Sequence, residues 1–334
     1  MGTLRDEIKD AITPRAFVLV LGVMLLQLGF IASFIGAFHA PAPHKIDVAV
    51  VAPADQAPKL AGQLNAISGT PLHAEVMDSA DAAHNAVVDG DISAALVVDP
   101  SSTKDQLLVA SGGGASIVTA VEAVMTQADA SQHRTVQTTD LVPLQSGDAR
   151  GLSGFYLVIG WLVGGYLVAS MLGIAKGERP PTLRRIAIRL TSLLPYAVVS
   201  GLLGALVAGP WMGALDGHVL ALWGLGALIV FAAAAATTAF QVLLGVSGVG
   251  LAVLIFVVLG NPSAGGAYQI QMLPWLWRTI GNALPNGAGT DSVRRIVYFG
   301  SQGIATHLAV IAAWAVVGTV VSLVAARMRE PRAS

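Results

Sequence analysis

The chain has 334 residues, 54% of them hydrophobic and only 12% charged, with a net charge of −1 and a mean hydropathy of +0.68. A soluble domain carries about 25% charged residues, so the composition excludes an ordinary soluble globule and points to a multi-spanning membrane protein. Cysteine is absent, which excludes disulfides and thiol chemistry.

Residues 16–38 form a 23-residue stretch without a charge, long enough for a hydrocarbon core of roughly 30 Å at about 1.5 Å per residue. Its length, and Asp6, Glu7 and Asp10 before it, argue for an uncleaved anchor rather than a signal peptide. From 39 to 151 the texture changes to short apolar runs between polar helices. Strands are predicted over 45–53, 73–77, 92–100 and 106–111, and helices over 54–67, 79–89 and 115–135. That order implies a small α/β sandwich. The segment holds 13 acidic and five basic residues, a net of −8, which fits either a solvated acidic surface or a cation site. His39, His44, His73, His84 and His133 show no metal-ligand spacing, and no nucleophile motif is present.

Five further spans are predicted: 152–175, with Gly160 and Gly164 as a G-x-x-x-G pair; 190–212; two from the 218–260 block, divided near Gly245 to Gly250, the second shorter; and 301–326. The fold class is therefore a polytopic α-helical membrane protein of six transmembrane helices, with a small α/β extracytoplasmic domain between the first and second. Residues 1–15 and 327–334 form the cytoplasmic ends. Arg5, Lys9 and Arg15, then Lys176, Arg179, Arg184, Arg185 and Arg189, then Arg327, Arg329 and Arg332 fall on one face, which the Lys/Arg bias assigns to the cytoplasm. Residues 39–151 then lie outside.

Residues 176–190 (KGERPPTLRRIAIRL) predict a short amphipathic cytoplasmic helix capped by Thr182, suited either to a protein partner or to anionic lipid. Residues 261–300 are too polar and Pro-broken to span and too apolar for a free loop. They predict two short helices dipping into the outer leaflet, started by Pro274 and Pro285. Trp275, Trp277, Tyr298 and Phe299 are read as interface anchors, with Arg294 and Arg295 near headgroup phosphates.

The central parts of the predicted spans carry no Asp, Glu, Lys or Arg, so they hold no group for harvesting an ion gradient. None of the five lysines sits in a P-loop. Any transport work must come from a partner.

The run VAVV with its acidic turn (48–55), DGDISAALVVDP (89–100) and, above all, NPSAGG…LP…LPNGAG…VRRIVYFG (261–300) resemble the ABC-2-type membrane (permease) family, closest to the YhgE and phage infection protein (Pip) group. The resemblance implies a homodimeric or heterodimeric exporter permease for an amphiphilic lipid, glycolipid or drug-like cargo. It implies ATP and Mg on a separate nucleotide-binding ATPase, no cofactor in this chain, and no nucleic-acid partner. It also implies that 176–190 is the coupling helix, through Arg179, Thr182, Leu183, Arg184, Arg185 and Arg189. The external gate or exit would comprise Asn261, Pro262, Gly265, Gly266 and Leu273. Pro274, Leu284, Pro285, Arg294 and Arg295 would complete it. A non-transporting scaffold of a secretion system, or a surface receptor, is the alternative.

Overall fold

A computed structural model describes residues 13–175 and 182–330. The expectations placed on Arg5, Lys9, Lys176, Arg179 and Arg332 lie outside the described residues. Helix α1 (Pro14–Phe38) is apolar almost throughout, and only 6% of its most apolar window is buried. It leads into an α/β unit: β1 (Ile46–Val51), α2 (Ala57–Asn65), β2 (Leu72–Val76), α3 (Ala80–Val88), β3 (Ala94–Val97), β4 (Lys104–Val109), α4 (Ala115–Ala130) and β5 (Thr135–Asp140).

The strands form one mixed sheet in the order β2-β1-β3-β4-β5. β1 runs parallel to β2 and β3, with Val48 opposite Ala74 and Ala94; β4 is antiparallel to β3 and parallel to β5. β1 is covered on both faces, which is why it reads as an unbroken apolar run. Ile46, Val48 and Val50 pack with Leu64 of α2 and with Val121 and Met125 of α4. On the other face, Ala49, Ala95 and Leu108 pack with Ala83 and Val87 of α3. Ser79 caps α3 by accepting a hydrogen bond from the Ala82 amide at 3.1 Å.

Among the described residues five helices, where six spans were expected, are long and apolar enough to cross a membrane: α1, α5 (Ser153–Ala175), α6 (Leu183–Leu206, continued as a π-helix to Trp211), α7 (Val219–Leu244) and α11 (Ala305–Arg329). α7 is the hub of the bundle. Its Ala232–Ala236 stretch is fully buried, and small residues on its neighbours admit close backbone contact. A Cβ added at Gly318 of α11 would lie 2.6 Å from the Ala236 nitrogen. The predicted Gly160/Gly164 pair does not serve this purpose, since a Cβ at Gly160 would meet nothing within 4 Å.

The predicted fifth span is instead the 13-residue helix α8 (Ser247–Val253, continued as a π-helix to Leu259). At about 20 Å it falls short of a hydrocarbon core. It follows the turn at Gly245, where φ is +63. An irregular stretch comes next, then two short helices, α9 (Trp275–Ala283) and α10 (Pro285–Tyr298). The third span differs from expectation too. The charged 183–190 stretch is no separate helix but the first two turns of α6.

Candidate functional site

The end of the bundle nearest the α/β unit is closed by α10 and the irregular backbone before α9. Residues 262–266 are buried, which is how non-helical backbone survives inside such a bundle. Asn286, completely buried, holds the segment together. Its Nδ2 donates to the Phe256 carbonyl at 2.9 Å and to Asn261 Oδ1 at 3.1 Å. The Phe256 carbonyl lies in the π-helical part of α8, where the regular ladder is altered, so a side-chain amide takes it up. Arg294, only 7% exposed, pairs with Asp291 at 3.0 Å and donates to the Gly265 carbonyl. It faces inward, not toward headgroups as expected, because a buried guanidinium needs several acceptors at once.

Three of the four aromatics read as interface anchors have another role. Phe299 is buried against Ala83, Val87 and Leu108 on the α3 face of the sheet. Gly90 faces its ring with φ at +73, and a Cβ there would lie 2.8 Å from Phe299 Cδ1. The Tyr298 hydroxyl donates to Asp148 Oδ2 at 2.9 Å, while Asp148 Oδ1 accepts from the Ser153 amide at the start of α5 at 2.9 Å. Burial, and next the Asp148 carboxylate, push the Tyr298 phenol up. Trp277 turns inward as well, donating to Ser33 of α1 at 3.1 Å, whereas Trp275 is 69% exposed. On the other face of the sheet, Met272 enters the core, and the Ala42 and His44 amides donate to the Met272 and Gln271 carbonyls at 3.1 and 3.0 Å. The α/β unit is thus gripped on both faces by the broken segment.

Between them lies a cavity of about 570 Å³. The α/β unit contributes His44, Lys45, Asp47 and Asp91; the broken segment contributes Gln269, Arg278, Asn282, Asp291, Arg294 and Arg295; and α11 contributes His307. Arg295 donates to the Gln302 carbonyl at 2.8 Å. Burial, then Arg278 and Lys45, hold His44 below its ordinary value.

At the opposite end, Thr182 accepts from the Arg185 amide at 3.4 Å and caps α6. The Leu183 amide donates to Glu330 Oε1 at 2.6 Å, and Arg329 donates to the Val242 and Leu243 carbonyls at the end of α7. Arg184 and Arg185 are exposed. Arg189 is not: it is 7% exposed and donates to the Ala169 carbonyl and Gln241 Oε1. The three arginines therefore do not share the one surface expected of them, because Arg189 satisfies acceptors on α5 and α7.

A family model described as an ABC-2 family transporter protein matches residues 15–324. The chain belongs to the ABC-2 transporter family. No curated protein and no solved structure matches it. ABC-2 permeases are the membrane-spanning part of transporters and generally work with a separate ATPase, and this chain is a multi-pass membrane protein of that kind.

Of the ten gate residues expected in this ABC-2 chain, Asn261, Gly265, Pro285 and Arg294 come together around α10. Pro262, Leu273 and Leu284 are buried nearby in sequence, and Gly266 abuts the Phe155 ring. Pro274 and Leu284 stand at the N-termini of α9 and α10. Arg294 and Arg295 line the cavity. Sequence reasoning missed Asn286, whose signal was an amide between proline and glycine in an otherwise apolar run. It also missed Arg278, Lys45 and Glu330, which carry no local motif. Among the described residues, no group of three or more His, Asp or Glu is placed to hold a metal ion.

Proposed function

We propose that this chain is the permease subunit of an ABC-type exporter that moves an amphiphilic or hydrophobic substrate (a lipid, glycolipid or drug-like molecule), with ATP and Mg bound on a separate ATPase. The observation that carries the reading is the broken passage from Gly245 to Gly300. A 13-residue helix, a buried irregular stretch and two short helices stand where a plain span would suffice for anchoring. Broken backbone of this kind persists within a membrane only where protein buries it or it lines a path, and the family match gives it a transport context.

Residues 261–300 then act as the external gate, capped by the α/β domain on the outside. The termini lie in the cytoplasm. The Lys/Arg bias supports that orientation, as does the clustering of the α6 start, the α7 end and the α11 end. The exposed Arg184 and Arg185 turn of α6, with Thr182 and Leu183, is the docking face for the ATPase. The largely uncovered apolar surface of α1 suits a second permease subunit, identical or related. Within the family, the resemblance of the 48–55, 89–100 and 261–300 runs supports a reading nearest the YhgE/Pip group.

The test is co-purification. The native chain should bring down a P-loop ATPase, and the double reversal Arg184→Glu with Arg185→Glu should release it while leaving the permease folded. Recovery of the same ATPase with both reversals would place coupling elsewhere. Recovery of secretion components with no ATPase would favour a scaffold.

A further inference from the structure

We infer that the cavity between the α/β unit and α9–α10 is a binding site for an anionic, phosphate- or sulfate-bearing headgroup of an amphiphile, held chiefly by Arg278 and Lys45. This rests on the exporter reading for its biological meaning but not for its chemistry.

Charge and pairing carry the argument. Four cationic side chains line the cavity (Lys45, Arg278, Arg294 and Arg295), against three carboxylates, Asp47, Asp91 and Asp291. Asp291 is already paired with Arg294 at 3.0 Å, and Asp47 accepts from His73 at 2.9 Å. Among the described residues, Lys45, Arg278 and Arg295 have no carboxylate within ion-pair distance. Nor does Arg278 make a side-chain hydrogen bond among those residues, although it is half-buried. A guanidinium with five donors is rarely left so; its planar fork fits paired oxygens of a phosphate, sulfate or carboxylate. His44 sits in the field of both Arg278 and Lys45, and they hold it below its ordinary value after burial has done so. An anion bound there relieves that repulsion.

Shape and surroundings point to a headgroup attached to apolar chains. The cavity of about 570 Å³ is in the range of small-ligand sites. Arg278 lies on α9, whose Trp275 and Leu276 are 69% and 38% exposed. A side chain such as Trp275 prefers the boundary between headgroups and hydrocarbon. Trp277 leans the same helix against Ser33 and Gly36 of α1, whose exposed apolar surface continues from there. A polar head in the cavity therefore has apolar ground beside it for its tails.

The test uses the full chain in detergent without any ATPase. Binding of dihexanoyl phosphatidic acid, dihexanoyl phosphatidylcholine and inorganic phosphate is measured by titration calorimetry. Phosphatidic acid should bind most tightly. Arg278→Gln, and separately Lys45→Gln, should each weaken it by about tenfold, the order expected for loss of one charged hydrogen-bonding partner. Arg278→Lys should recover part of the loss, and Asp91→Asn should tighten binding by removing a lining carboxylate. Phosphate binding as tight as that of phosphatidic acid would assign the site to a free anion and overturn the amphiphile reading. Equal binding of the zwitterionic lipid, or no effect of Arg278→Gln, would overturn the site itself. If headgroup binding holds but no ATPase ever co-purifies, the exporter reading fails and this one stands. If a partner ATPase is stimulated only by uncharged amphiphiles, the reverse is true.

Discussion

Replacing Phe299 by Ala asks whether the α/β domain and the broken segment behave as one body. The ring is 8% exposed and fills the α3 face of the sheet beside Ala83, Val87, Ala95 and Leu108. Phe→Ala in a packed core costs about 3–5 kcal/mol. Because this site borders an open cavity and has room to relax, the lower figure of about 3 kcal/mol is the appropriate one. Local opening should therefore become about a hundredfold more frequent. Hydrogen–deuterium exchange of the full chain reads this directly. Amides of β3, β4 and α10 should lose protection together, while α6 and α7 stay protected. Faster exchange confined to the sheet, with α10 unchanged, would refute the claim that Phe299 couples them.

Three further changes probe other parts of the account. Asn286→Ala leaves the Phe256 carbonyl and Asn261 Oδ1 without their donor and should lower stability by about 1–3 kcal/mol, measured as a fall in Tm of the detergent-solubilised chain. Gly90→Ala forces a Cβ into Phe299 at a φ of +73 and should reproduce the Phe299→Ala exchange pattern more weakly. Asp129→Asn tests a buried carboxyl that burial, and next the Asp105 carboxylate, push up to about 6, with Arg134 opposing. Its Oδ2 has no hydrogen-bond donor among the described residues. A carboxyl raised from 3.8 to about 6 gives stability that is full below pH 3.8 and lost as pH rises through about 6. The Asn variant should melt higher than the native chain at pH 7.5 and show no such advantage near pH 3.5.

Most strands were legible because burial on both faces demanded Val, Ile and Leu there. β5 was not: TVQTTD has no buried residue and sits at the sheet edge, so it gave no strand signal after the predicted 115–135 helix. The start of α6 was hidden by Arg184, Arg185 and Arg189, which look like a charged surface. Gln241, the acceptor that lets Arg189 go inside, lies 52 residues away, beyond any local pattern. α10 misled in the opposite sense. PNGAGTDSVRRIVY reads as a short helix dipping into the outer leaflet, yet 11 of its 14 residues are buried, because Gly, Ala, Ser and Thr allow the close packing that bulkier residues prevent. The cavity was illegible for a simpler reason: its walls come from segments about 45, 91, 278, 295 and 307, which only the fold brings together.

The central claim is that the chain moves its substrate only on energy supplied by another protein. Vesicles reconstituted with this chain, a fluorescent anionic lipid and an inward-facing dithionite quench measure leaflet transfer directly. Net movement of the lipid against its gradient should require both the partner ATPase and Mg-ATP, and should vanish with either omitted. Uphill movement in vesicles holding this chain alone would contradict the account.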